Sequence, residues 1–163
     1  VHNAVRTRER QPKRASAQRL RIVVSTVSSD SHTWNLVFLQ LLLEEMGHEV
    51  INLGSCVPDE LIVAECRRAR PDMLVLSTVN GHGNIDGARL IRRIRATGDL
   101  SGLPVVIGGK LGVRGAENAV HGAALMSAGF DAVFEAGAGT HGFERFVRSL
   151  QGARTDTRRV LAG

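Results

Sequence analysis

The sequence has no tyrosine, and its 163 residues hold only five phenylalanines and one tryptophan. Aromatic platforms on which the bases of single-stranded nucleic acid stack are therefore not expected. Cysteine is almost as scarce. Cys56 and Cys66 form no CxxC pair, exclude a disulfide framework and read as structural or incidental. No apolar run approaches the roughly 20 residues that span a bilayer, and no signal-peptide pattern opens the sequence. A membrane partner is not expected, and a reducing cytoplasm is the expected compartment. Acidic residues are outnumbered, 16 against 21 basic ones, for a net charge of +5. Such an excess can mark a nucleic-acid binder, but its position argues otherwise. Arg6, Arg8, Arg10, Lys13, Arg14 and Arg19 stand against Glu9 alone, an excess that equals the whole chain's +5, so the remainder is neutral. The charge belongs to an arm, and nucleic acid is not an expected partner.

What is present is an ordinary globular composition, 43% apolar and 23% charged, in a length suited to one domain. Residues 1–19 are polar and read as a disordered basic arm, 20–150 as the domain, and 151–163 as a frayed polar tail. Within the domain, β-rich runs at Arg21–Val27, Glu49–Leu53, Met73–Val79, Pro104–Ile107 and Ala132–Phe134 alternate with helical stretches. Those stretches are Trp34–Met46, Pro58–Arg70, Ile85–Ala96, Glu117–Ala128 and His141–Leu150, with Gly47 and Gly129 as stops. Continuous apolar strands joined by helices predict a parallel sheet covered on both faces. Five such units predict an α/β, flavodoxin-like (Rossmann-like) doubly wound sheet of strand order 2-1-3-4-5.

In such sheets ligands bind beyond the carboxyl ends of the strands, near the switch point between strands one and three. The residues at those ends are Ser29, Asp30, Ser31, His32 and Thr33 after the first strand, and Ser77, Thr78, Val79 and Gly81 at the third. Gly108, Gly109, Lys110 and Leu111 follow the fourth. Asp30-x-His32 is the sharpest feature, because a carboxylate two residues from an imidazole can take one ring N–H and fix the other nitrogen as a neutral metal donor. Such spacing also suits a helix cap beside a solvated loop histidine, and it leaves both readings open. Ser77 and Thr78 read alone as strand-end hydroxyls, Gly108-Gly109 as a tight turn or a place of close approach, and Lys110 as a surface lysine or a phosphate partner.

Taken together, these residues resemble the cobalamin-binding domain of adenosylcobalamin-dependent mutases, above all the small subunits of glutamate mutase (methylaspartate mutase). That family carries D-x-H-x-x-G after strand one, S-x-L on strand three and G-G after strand four. Here the three read Asp30-Ser31-His32-Thr33-Trp34-Asn35, Ser77-Thr78-Val79 and Gly108-Gly109-Lys110. Gly81-His82-Gly83-Asn84-Ile85-Asp86 is similar to the family's G-x-G-x-I-D stretch, and Asn52-Leu53-Gly54 with Pro58-x-Glu60 resembles its second strand and helix. The resemblance covers residues 20–150. It departs at Asn35, which stands in place of the motif's final Gly. Asn tolerates the left-handed backbone that a bend there would need, and both it and Trp34 add bulk where the cofactor's nucleotide tail is expected to enter.

The resemblance implies that His32 replaces the cofactor's own dimethylbenzimidazole as lower axial ligand of cobalt, with Asp30 holding its other ring nitrogen. It implies that the displaced base lies in a slot between sheet and helices, near Ser77, with Gly108 and Gly109 giving it bare backbone. The implied cofactor is adenosylcobalamin. The implied system is an isomerase converting glutamate to 3-methylaspartate, in which this chain has no catalytic residue and is inactive alone. A separate large, barrel-type subunit would hold the amino-acid substrate. The alternatives are a corrinoid carrier, a cobalamin-dependent regulatory module and the cobalamin component of an acyl-CoA mutase. A phosphoacceptor receiver shares the fold class, but it needs an Asp where the third strand ends in Ser77-Thr78.

Overall fold

The computed structural model describes residues 18–112 and 118–161. Most of the basic arm, residues 1–17, lies outside them, as does Glu117. The described chain alternates β1 (Arg21–Thr26), α1 (Trp34–Glu45), β2 (Glu49–Asn52), α2 (Asp59–Ala69), β3 (Met73–Thr78), α3 (Gly83–Ala96), β4 (Val105–Gly109), α4 (Asn118–Ala128), β5 (Ala132–Glu135) and α5 (His141–Leu161). A short 3-10 turn, Gly98–Leu100, precedes β4. The five strands form one sheet in the order β2-β1-β3-β4-β5, and every pairing is parallel. This is the doubly wound architecture that the sequence predicts.

The strands divide their side chains between two cores with period two. Val23, Leu74, Leu76, Val105 and Ile107 bury against Ile62 of α2, Leu90, Ile91 and Ile94 of α3, and Leu125 of α4. Ile22, Val24, Met73, Val75 and Val106 face the other way, onto Leu43 of α1 and Phe143 and Val147 of α5. A sheet apolar on both faces must be covered on both, and right-handed crossovers place the helices to do so. Cys66 lies in the first core, where burial pushes its thiol up to about 12, which leaves it protonated and inert.

Local chemistry sets the element ends. Gly47 takes φ +91° after α1, with His48 N donating to Leu43 O and Gly47 N to Glu44 O, the paired bonds of a Schellman stop. Gly129 ends α4 in the same way. In α2, Asp59 and Glu60 occupy the first turn and Arg67 and Arg68 the last, as the helix dipole favours.

One element departs from the sequence pattern. Helix α5 continues through residues 151–161, which read as a frayed tail. Its extension is held by partners distant in sequence: Gln151 Nε2 donates to Gln18 O at 2.8 Å, and Arg154 pairs with Asp72.

Candidate corrinoid site

The loop after β1 brings Asp30 under the ends of the central strands, where its side chain is fully buried. Oδ1 accepts from the His32 backbone N–H at 3.0 Å and lies 2.7 Å from His32 Nδ1. Oδ2 accepts from the N–H groups of Val79 at 2.6 Å and Asn80 at 3.2 Å, just past β3. Burial by itself would raise the Asp30 pKa. The bonds from Val79, His32 and Asn80 outweigh it and hold the carboxyl below its ordinary value. Asp30 is therefore an anion clamped between two loops, and it caps no helix: Thr33 precedes α1 without a side-chain cap bond.

The His32 side chain is 57% exposed. With Nδ1 on the carboxylate, Nε2 is left on the open side of the ring with no hydrogen-bond partner among the described residues. A carboxylate on Nδ1 favours the tautomer whose lone pair is on Nε2, the arrangement a metal-binding imidazole needs. No group of three or more His, Cys, Asp or Glu side chains among the described residues could hold a metal ion. His32 can offer a single nitrogen donor.

Residues of α1, β3, β4, β5 and α5 line an open slot of about 220 Å³, and Asn35, three residues after His32, is among them. Phe38, Leu39, Val75, Phe134 and Phe143 give it apolar walls, and Asn35 and Ser77 a polar patch. Gly108 and Gly109 lie along it, opposite Ser77 and Thr78 in the β3–β4 register. The glycines are not equivalent. A Cβ on Gly109, at φ +111°, would sit 1.9 Å from Thr78 O, so close strand approach alone requires glycine there. A Cβ on Gly108 would stand 3.3 Å from Phe134 O and take space from the slot.

The remaining sequence candidates fall into two groups. Ser31 and Thr33 are exposed around His32, and Val79 and the buried Gly81 (φ +85°) shape the loop that holds Asp30. Thr78 and Leu111 have side chains without solvent exposure, Thr78 beneath Gly83 and Leu111 in the core. Neither residue presents surface to a ligand. Lys110 donates its N–H to Thr78 O at 2.7 Å and exposes its side chain. Ser29 bonds Asp86 and accepts from Asn80 Nδ2 at 3.0 Å.

Sequence reasoning missed the girder behind this loop. Arg89 of α3 binds Asp59 of α2 at 2.7 and 3.1 Å, Asp86 at 2.6 Å and Ser28 Oγ at 2.9 Å. It is held firmly protonated, chiefly by its bond to Asp59. Asp86 lies three residues before Arg89 on the same helix, but Asp59 is 30 residues away, and only the fold joins it to them. The reading of Asn35 also changes. No bend occurs there: Asn35 is the second residue of α1, away from the left-handed positions Cys56 and Arg70, and its Nδ2 donates to Ser77 Oγ at 2.6 Å. A larger hollow of about 760 Å³, lined by Arg67, Arg70, Asp99 and Arg154 among others, lies at the amino ends of β3 and β4, away from this chemistry.

The chain is 29% identical over 123 residues to the glutamate mutase sigma subunit of Treponema denticola, covering 74% of this chain and 86% of that one. A cobalamin-binding protein from Desulfitobacterium hafniense superposes with a TM-score of 0.59 at 26% identity over 86% of this chain, which spans 59% of that protein's chain. The receiver domain of a histidine kinase from Syntrophus aciditrophicus superposes with a TM-score of 0.61 at 17% identity, covering 82% of this chain and 91% of that one, a likeness of fold alone. Residues 20–147 match the B12 binding domain, and the chain belongs to that family.

Proposed function

We propose that this chain is the cobalamin-binding subunit of an adenosylcobalamin-dependent isomerase that interconverts glutamate and 3-methylaspartate, with the substrate on a separate large, barrel-type subunit. The observation that carries the reading is the Asp30–His32 pair, 2.7 Å apart with Nε2 without a partner among the described residues. The names of the curated relatives support the reaction class.

The residues present fit the cofactor. His32 offers one nitrogen to a metal that arrives in its own macrocycle, and Asp30 makes that nitrogen a stronger donor by holding Nδ1. The slot offers a base apolar walls, with the hydroxyl of Ser77, the amide of Asn35 and Glu135 also lining it. When bound, adenosylcobalamin supplies the radical chemistry, by homolysis of its cobalt–carbon bond. The chain's own work is binding and orientation. Ser77 meets the tail, Gly108 leaves it room, and the Arg89 girder and the Asp30 bonds fix the loop that aims His32. No residue here is assigned a catalytic role.

Titration of the full chain with adenosylcobalamin, alone and with the large subunit, tests this. Binding is expected to displace the lower base, and the reduced cobalt(II) form to show the hyperfine signature of a protein imidazole nitrogen, which His32→Ala removes. Absence of binding in both arms overturns the reading. Turnover of an acyl-CoA thioester, or binding without isomerisation of glutamate by the assembled pair, reassigns the chain to an acyl-CoA mutase or a corrinoid carrier.

A further inference from the structure

We infer that the hollow at the amino ends of β3 and β4 is a second ligand site, one that takes a nucleoside diphosphate. It lies at the end of the sheet opposite His32 and does not depend on the corrinoid reading.

The hollow measures about 760 Å³, within the roughly 300–1,000 Å³ of ordinary small-molecule sites. Its lining is of two kinds. Pro71 and Pro104, just before β3 and β4, and Leu100 and Leu103, from the 3-10 turn and the segment after it, give it an apolar side. Arg67, Arg68 and Arg70 at the end of α2 and Arg154 of α5 give it positive charge, and Asp99 is the one acid among the described lining residues.

Three of these arginines have carboxylate partners that leave donors over. Arg67 donates to Asp99 through Nε alone, at 2.9 Å. Arg68 donates to Glu65 through Nε and Nη2, at 2.9 and 2.6 Å, and Arg154 pairs with Asp72. A guanidinium has five N–H donors, so each keeps some for a ligand. The Arg70 side chain has no hydrogen bond or ion pair among the described residues. It nonetheless lies near the Arg67–Asp99 pair. The Asp99 carboxyl is held below its ordinary value chiefly by the Arg67 bond, and the charge of Arg70 adds to the effect.

The backbone of Arg70 is a separate sign. It closes α2 at φ +46° and ψ +58°, in the left-handed region that Gly or Asn adopts at less cost. An exposed, unpaired arginine at such a position is a side chain placed for something outside the chain. Guanidinium groups bind phosphate oxygens in pairs and stack on flat rings. A planar base against the prolines and leucines, with its phosphates on Arg67 and Arg70, uses both kinds of lining at once. An inorganic anion would leave the apolar side unused, and a bare nucleoside would leave the arginines unused.

Calorimetric titration of the full chain at low salt with ADP, pyrophosphate and adenosine tests this. ADP is expected to bind more tightly than either fragment, and more weakly as salt rises. Arg70→Asn, which suits the left-handed backbone, should weaken ADP binding about tenfold without lowering Tm. Arg67→Gln should act in the same direction. Arg92→Gln, at an exposed arginine of α3 outside the hollow, should leave ADP affinity unchanged. Absence of ADP binding up to about 1 mM overturns the inference. So does pyrophosphate or adenosine binding as tightly as ADP, ADP affinity that survives both Arg70→Asn and Arg67→Gln, or an equal loss in Arg92→Gln. The three-ligand comparison needs no variant and can overturn the inference even where a substitution unfolds the chain.

Discussion

The carboxylate of Asp30 accepts the backbone N–H of Val79 at 2.6 Å, across 49 residues of sequence. This bond joins the loop after β1 to the loop after β3 at the switch point of the sheet. One oxygen of Asp30 serves that junction and the other serves His32. The same residue is thus a structural clamp and the orienting partner of an exposed imidazole.

The two roles separate by mutation. Asp30→Ala leaves the N–H groups of Val79, Asn80 and His32 without their acceptor. At about 1 kcal/mol or more each, the loss is about 3 kcal/mol, or a fall in Tm of roughly 6–12 °C for a domain of this size. His32→Ala removes a side chain that is 57% exposed and should change stability by no more than about 0.5 kcal/mol. Thermal melts of the two variants check this, and a wild-type melt for Asp30→Ala would refute the clamp.

Gly109 yields a second prediction. Alanine there needs φ +111° and a Cβ 1.9 Å from Thr78 O, a backbone atom that cannot yield without parting β3 from β4. Gly109→Ala is expected to give insoluble protein or a Tm lowered by more than roughly 10 °C. Gly102→Ala, where nothing lies within 4 Å of the added carbon, is the matched control and should melt as wild type. Equal melts for the pair would show that the strand ends can separate.

The alternation of strand and helix was legible because the central strands β1, β3 and β4 carry apolar runs and helices α1 and α4 end on Gly47 and Gly129. The D-x-H pair was legible because its geometry is local: His32 N–H and Nδ1 both reach Asp30 across two residues. What the sequence concealed depends on distant partners. Residues 151–161 are polar and look frayed until Gln18 and Asp72 are placed beside them. The glycine pair looked like one motif with one purpose, but the fold gives Gly109 to strand approach and Gly108 to the slot. Asn35 looked like the residue of a bend, since the motif position called for one, and only the helix that starts at Trp34 turns its amide toward Ser77.

His48 is another polar group whose burial only the fold reveals, and it is expected to weaken stability in acid. It is 3% exposed, takes the Leu20 N–H on Nδ1 at 3.4 Å and has no partner for Nε2. Burial pulls its pKa below the ordinary value, with Asp72 offsetting part of the effect. The unfolded chain, with a histidine pKa of about 6.5, therefore takes up this proton before the folded chain does. Stability from neutral His48 is present above that unfolded value and is lost as pH falls below it toward the folded pKa. Asp30 does not mimic this slope, because its pKa is held below the carboxylate range and it stays ionised throughout. The wild-type Tm is expected to decline between pH 7.5 and 5.5. His48→Asn, which keeps an acceptor for Leu20 and cannot be protonated, should flatten that decline even if its Tm at pH 7.5 is lower. An unchanged slope in the variant would assign the acid sensitivity to other groups.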